Sequence, residues 1–350
     1  MKDTVRFVHF GDLHYVQPEA HSEAFAGRPK GVTELVDLKR NLWMTQNVTP
    51  RVLAAVAELQ PDFVVQTGDL IHGHCDDEAG AMREMSEALE LLRTVEAPVF
   101  CALGTHDGIV GRRQDAPIRK LLWPAMAEAL GYTPDRGYFS FELGGSLFVL
   151  LDYTTFTADG EQAEFIRGTL AKGASYDHVF VFAHPPLVPV GRPFFASFPF
   201  SRTLMESAAR YPIDAYLCGH THNQVASLHR VGKVWMPQLK GTSLAYPQEP
   251  PVFLEQVRPL LPRRHSFEYG WGFLEDSAPG WWLVTIDGEQ VTADWYVLDR
   301  GVEGQLTWRK GEKPVFTQRP SFQPHSQVLP PMESIRNVRL RAAGSGCRAS

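Results

Sequence analysis

Six short apolar runs, at residues 5–10, 62–67, 97–103, 147–152, 178–183 and 213–218, limit what this chain can fold into more than any other feature. Each is rich in Val, Phe and Leu and has the length of a strand buried on both faces. Between them lie stretches with helical period. Thr49, as N-cap, and Pro50, at the first helical position, precede Val52, Leu53, Val56 and Leu59 on one face. Met85, Leu89, Leu92 and Val95 mark a second helix, and Phe165, Ile166 and Leu170 a third, closed by Gly173 at its C-cap. Strands alternating with helices predict an α/β fold with a largely parallel sheet, whose ligand sites lie beyond the carboxyl ends of the strands.

After about residue 220 the texture changes. Residues 225–238 and 281–298 read as hairpins, the second turning at Asp287-Gly288, which predicts a second sheet packed on the first. The proline-bearing stretches 185–200 and 246–272 read as long loops. Residues 1–300 are expected to form the main domain, and the polar, proline-containing 301–350 a tail or arm with little core of its own.

At 350 residues and a formal net charge of −6, the chain can bury a large core but carries no broad positive footprint for nucleic acid or an anionic membrane. An anionic substrate must therefore be gripped locally. The four cysteines, Cys75, Cys101, Cys218 and Cys347, lack paired spacing, which argues against a disulfide framework and fits a reducing compartment. Met1-Lys2-Asp3-Thr4 runs straight into the first strand without a signal-peptide pattern, and no stretch approaches the roughly 18 apolar residues of a membrane helix. The expected location is cytoplasmic, with no membrane partner; a homo-oligomer is compatible with the sequence.

The chemistry sits at the strand ends. The first strand ends in Gly11-Asp12-Leu13-His14, the second in Gly68-Asp69 and the third in Gly104-Thr105-His106-Asp107; later strands end in His184-Pro185 and Gly219-His220-Thr221-His222. An Asp at one strand end is most simply a turn former or helix cap, and a lone loop His a hydrogen-bonded one. Five strand ends delivering only carboxylate, imidazole and glycine to one sheet edge are poorly explained that way. Such donors without thiolate suit Mn, Fe, Zn or Co better than a structural zinc knuckle. In Asp12-Leu13-His14 and His220-Thr221-His222, alternate residues of an extended segment point the same way, so each pair can face a common centre.

The series Asp-x-His, Gly-Asp, Gly-x-His-Asp, His, Gly-His-x-His resembles that of the calcineurin-like metallophosphoesterases, over roughly residues 5–225 with family-like β segments to about 298. The resemblance implies a four-layer α/β/β/α sandwich with a C-terminal β extension, and a centre of two divalent or trivalent ions. It places Asp12, His14 and His222 on the first ion, Asp69 between the two, and His184 and His220 on the second, with His106 as general acid beside them and Asp107 behind its ring. Where the family has a metal-binding Asn, this chain has Thr105, whose shorter hydroxyl is a weaker ligand, so a poorly held second ion is expected.

The implied activity is hydrolysis of a small phosphorylated substrate, a phosphodiester slightly favoured over a monoester. Two alternatives remain: a degenerate metal-binding module disabled at Thr105, and a nuclease, against which the net charge counts. Arg112, Arg113, Arg192 and Arg202 are placed near enough to the strand-end blocks to grip a phosphate. His72, His74, Cys75, Asp76 and Asp77 read as a solvated polar loop more readily than as an accessory metal site. Phe194, Phe195, Phe198, Phe200, Tyr269, Trp271 and Phe273 either roof a pocket or pack loops together.

Overall fold

A computed structural model describes residues 4–22, 31–107, 116–189, 196–241, 269–275 and 279–318. The six apolar runs all form strands: β1 (Thr4–Phe10), β2 (Phe63–Gln66), β3 (Val99–Cys101), then, after β4 (Phe139–Leu143), β5 (Ser146–Leu150), β6 (His178–Phe182) and β7 (Ala215–Cys218). Helices α1 (Gly31–Asn47), α2 (Thr49–Glu58), α3 (Glu78–Arg93), α4 (Trp123–Leu130), α5 (Glu161–Gly173) and α6 (Phe198–Ala208) interleave with them. The chain then runs through β8 (Gln224–Val231), β9 (Val234–Lys240), β10 (Tyr269–Glu275), β11 (Gly280–Asp287), β12 (Gln290–Val297), β13 (Gly301–Arg309) and β14 (Val315–Gln318).

The expectation of one largely parallel sheet needs correcting. The runs divide between two seven-stranded mixed sheets, ordered β14-β13-β12-β11-β1-β2-β3 and β10-β8-β9-β7-β6-β5-β4. In the first, β1, β2 and β3 are parallel, and β11 adds antiparallel to β1 with Val5 opposite Ile286. In the second, β5, β6, β7 and β9 run parallel. Apolar content marks a strand as buried on both faces without naming its neighbour, so the division is invisible in the runs themselves. The late hairpins do not build a separate sheet; β8–β10 widen the second sheet and β11–β14 the first.

Side chains alternate between two cores, as the two-residue period of a strand requires. Along β5 and β6, Phe148, Leu150, Phe180 and Phe182 enter the core between the sheets. Leu147, Val149, Val179 and Val181 instead pack under Ile166 and Leu170 of α5 and Leu204 of α6. Phe7 joins the sheets: its ring stacks on Phe63 at 5.1 Å and meets Phe148, Phe180 and Phe182 edge-on at 5.6, 5.2 and 5.8 Å. Quadrupole attraction favours these offsets, at about 0.5–1.5 kcal/mol per pair beyond area burial.

Three further readings change. Residues 301–318, expected to begin a tail, are strands, with Leu306 and Trp308 of β13 buried and Trp308 opposite Val291 of β12. Only these two large apolar residues alternate there, too weak a pattern to announce a strand. Residues 319–350 lie outside the described residues. Val48 is the N-cap of α2, so Thr49 and Pro50 fall one position later than expected. α6 begins inside the stretch read as a loop, burying Phe200 and leaving Phe198 44% exposed, so this part of the aromatic run splits between core and surface. Phe194 and Phe195 lie outside the described residues, as do the side chains of Tyr269, Trp271 and Phe273. Cys75, Cys101 and Cys218 are buried free thiols. Among the described residues no helix is long and apolar enough to cross a membrane.

Candidate metal centre

The carboxyl ends of β1, β2, β3, β6 and β7 bring their polar residues together, although they belong to different sheets. Asp12, His14 and His222 form one group of possible ligands and Asp69, His184 and His220 another; within each, the donor atoms lie within 4.8 Å of one another. Asp69 belongs to both in effect, since its Oδ2 is 3.6 Å from His14 Nε2 and 3.1 Å from His184 Nε2. His14 Nε2 faces His222 Nε2 at 3.2 Å, and His184 Nε2 faces His220 Nδ1 at 2.9 Å. Two imidazole nitrogens bound tetrahedrally to one ion at about 2.1 Å sit about 3.4 Å apart, so these face-to-face pairs fit a metal centre.

The backbone that delivers them is not extended, contrary to the alternation argument. Asp12, His14, Asp69, His220 and His222 all lie at positive φ, between 46° and 73°. Non-glycine residues are held there only when their surroundings dictate it, and such strain gathers at functional sites. Those surroundings are on view. The Asp12 carboxylate accepts the His220 amide at 2.9 and 2.8 Å, and Asp69 Oδ1 accepts the His106 amide at 2.8 Å. The glycines of the motifs permit the crowding: a Cβ on Gly104 would lie 2.2 Å from Asp69 N and Oδ1, and one on Gly219 2.6 Å from Asp12 Oδ2. His184 Nδ1 donates to the Thr67 carbonyl at 2.8 Å, so Nε2 is the nitrogen turned toward the centre, a lone-pair donor once its proton leaves.

Residues 5–224 match the calcineurin-like phosphoesterases. The chain belongs to that family. The family is one of metal-dependent phosphoric ester hydrolases. Among solved structures the chain is similar to the purple acid phosphatase PPD1 from yellow lupin (Lupinus luteus) seeds, at 14% identity and a TM-score of 0.57, covering 100% of this chain and 58% of that one. It therefore spans under two thirds of the lupin protein's length. It is similar too to a dimetal phosphatase from Danio rerio, at 12% identity and TM-score 0.54 over 90% of this chain and 98% of the other. A third is GAP50, the anchor in the inner membrane complex of Plasmodium, at 11% identity and TM-score 0.54 over 96% and 94%. At such identities the likeness is one of fold. No curated protein matches the chain in sequence.

In this calcineurin-like phosphoesterase, Asp107 does something other than orient the His106 ring. Its Oδ2 accepts from Asp69 N at 3.0 Å and Gly104 N at 2.6 Å, and its Oδ1 from Leu70 N at 2.6 Å, so it ties the loops after β2 and β3 together. The His106 ring is held by the carbonyl of His72, which accepts from Nδ1 at 2.7 Å. Thr105 is exposed, and its hydroxyl points at Asp69 Oδ1 from 3.4 Å. Arg112, Arg113 and Arg192 lie outside the described residues, while Arg202 is exposed on α6.

Burial and mutual charge set the protonation of the metal-free centre. Desolvation raises Asp12 to about 7 despite the opposing pull of His184. Desolvation pushes Asp69 upward too, but His184 and His106 outweigh it and hold the carboxyl well below its ordinary range. His184 is the reverse: burial lowers it, yet the Asp69 charge and hydrogen bond carry it up to about 9. Desolvation lowers His14 and His220 well below the usual imidazole range.

Several residues near the centre escaped the sequence reading. Lys240, at the end of β9, is fully buried and donates to Thr221 Oγ1 and, at 2.7 Å, to Asn223 Oδ1, pinning the turn that carries His220 and His222. A single Lys closing a strand gives no signal of this. Tyr153 stacks on His184 with ring centres 6.0 Å apart. The loop read as solvated is largely interior, with His72 6% and Cys75 2% exposed and His74 half-buried. Buried Glu84 of α3 holds it there by accepting from Gly73 N, Cys75 Sγ, His21 Nε2 and Gln17 N.

Proposed function

We propose that the chain hydrolyses small phosphate esters at this centre, a phosphodiester in preference to a monoester. The observation that carries the reading is the Asp69 carboxylate, within reach of both imidazole groups, as a ligand shared by two ions requires. Asp12, His14 and His222 would hold one ion and His184 and His220 the other, with Asp69 between them and Thr105 as a weak additional oxygen. The donor set suits Mn, Fe, Zn or Co. Two ions bound there would neutralise phosphoryl oxygens and acidify an attacking water.

The chain's own residues supply the rest. With Nδ1 of His106 fixed on the His72 carbonyl, Nε2 is the nitrogen free to pass a proton to the leaving oxygen. Asp107 keeps the two loops in register while this happens. The described rim of Thr105, His106 and half-buried His74 presents a hydroxyl and imidazoles, which suits the single charge of a diester. His106→Ala should leave metal content intact and slow esters with alkoxide leaving groups on the order of 100-fold, but nitrophenyl esters far less, since nitrophenolate needs no proton. Equal slowing of both would remove the general-acid role. Turnover of a panel of aryl phosphodiesters, cyclic nucleotides and phosphomonoesters by the metal-loaded protein tests the substrate class.

A second reading rests on Thr105, whose exposed hydroxyl is turned to Asp69. If it leaves the second ion unheld, the chain is a metal-binding module without turnover. One bound ion and no hydrolysis of an aryl phosphodiester at saturating Mn would favour that reading.

A further inference from the structure

The loops after β1 and β2 meet helix α3 at a second cluster of metal-binding side chains, His21, Cys75 and Glu84. One donor atom of each lies within 4.8 Å of the other two, and the residues are only 1%, 2% and 0% exposed. None of the three belongs to either ligand group of the candidate centre. We propose that this cluster is a separate, structural site for one zinc or cobalt ion, held by the Cys75 thiolate, the His21 imidazole and both oxygens of Glu84.

Glu84 is the hub. Cys75 Sγ donates to its Oε1 at 3.6 Å and His21 Nε2 to its Oε2 at 2.5 Å, so sulfur flanks one oxygen and imidazole the other. A carboxylate bound through both oxygens then completes the four donors that a structural zinc takes. Each oxygen also accepts a main-chain amide, Gly73 N on Oε1 at 2.8 Å and Gln17 N on Oε2 at 3.0 Å, which fixes the carboxylate from outside as partners of metal ligands do. An ion between nitrogen and oxygen spreads them to about 3.3 Å, which a small turn of the imidazole supplies.

Charge favours the ion. Burial pushes the Cys75 thiol up, and the neighbouring Glu84 carboxylate adds to this, so without a metal the thiol keeps its proton. On binding, that proton leaves to solvent, and the His21 proton passes from Nε2 to Nδ1, which has no other partner among the described residues. Thiolate and carboxylate then cancel the two charges of the ion, and no net charge stays in the interior, where it costs most. The thiolate selects zinc or cobalt over manganese or magnesium. Such a clip ties both loops to α3 one residue from the His72 carbonyl that accepts from His106 Nδ1.

Cobalt(II) reports this site selectively, because a thiolate ligand adds a near-ultraviolet sulfur-to-metal charge-transfer band that carboxylates and imidazoles do not give. Full-length protein is produced with cobalt in place of zinc in the growth medium, as wild type, Cys75→Ser and Asp69→Asn, and absorption and bound metal are measured on each. Wild type and Asp69→Asn should both show the band, and Cys75→Ser should lose it together with about one cobalt per chain. No band in cobalt-loaded wild type, or a band of equal strength in Cys75→Ser, overturns the site. A band lost in Asp69→Asn would give the thiolate to the other centre and overturn the separate site as well.

Discussion

Asp12 and His184 carry the protons that binding of ions at the candidate centre would have to displace. With His184 up at about 9 and Asp12 at about 7, the first is protonated and the second partly so at neutral pH, and both must deprotonate to serve as ligands. Loading the metal-free protein with zinc at pH 7 should therefore release roughly one to two protons from this pair, and affinity should climb with pH until about 9. Potentiometric titration in weak buffer checks this; uptake without proton release would contradict it. Thr105 is the other residue-scale test. Replacing it with Asn offers a longer side chain with a better oxygen, so the second ion should bind about 10-fold more tightly. Two equally tight ions in wild type, unaffected by the change, would show that the position is already complete. The candidate ligands were legible in the sequence because each motif is a few contiguous residues at the end of an obvious strand. Their left-handed backbone was not, since a short Asp-x-His reads equally well as extended. Neither was the use of Asp107 on backbone amides, nor the burial of His72 and Lys240, which depend on segments far away in the chain.

Between elements, one buried contact joins β6 to the turn between β11 and β12, and so one sheet to the other. Asp214 Oδ1 accepts from His178 Nδ1 at 2.9 Å, and the Gly288 carbonyl accepts from Nε2 at 2.8 Å. Burial works against the imidazolium, but with an acceptor at each nitrogen the Asp214 interaction prevails and His178 is raised above its ordinary value. A raised histidine contributes stability that is complete below the unfolded-state pKa of about 6.5 and is lost as pH rises through the folded value. Asp214→Asn should thus cost more stability at pH 6 than at pH 9. Urea unfolding at both pH values reads the difference; a cost that does not vary with pH would mean the imidazolium contributes nothing. At this scale the apolar runs foretold every strand that leads into a candidate ligand motif, but not β4. They did not say that β1–β3 and β5–β7 belong to different sheets, because a run buried on both faces looks the same whichever strand lies beside it.

Across the whole molecule, the two sheets matter because neither one alone carries a complete centre. Asp12, His14 and Asp69 come from the first sheet, and His184, His220 and His222 from the second. The core around Phe7 therefore fixes the relative placement of the candidate ligands as well as the stability: Phe63 precedes Asp69 on the first sheet, Phe180 and Phe182 precede His184 on the second, and all three pack on Phe7. β11–β14 extend the first sheet through residues first read partly as tail. Among the described residues, Asp69 is the one carboxylate placed to join two metal positions across that interface, and metal content measured alongside turnover tests this most directly. Asp69→Asn, with the carboxylate charge removed and the shape kept, should lose both ions together and lower turnover of an aryl phosphodiester on the order of 100-fold or more. A full metal complement with wild-type turnover in that variant would contradict it.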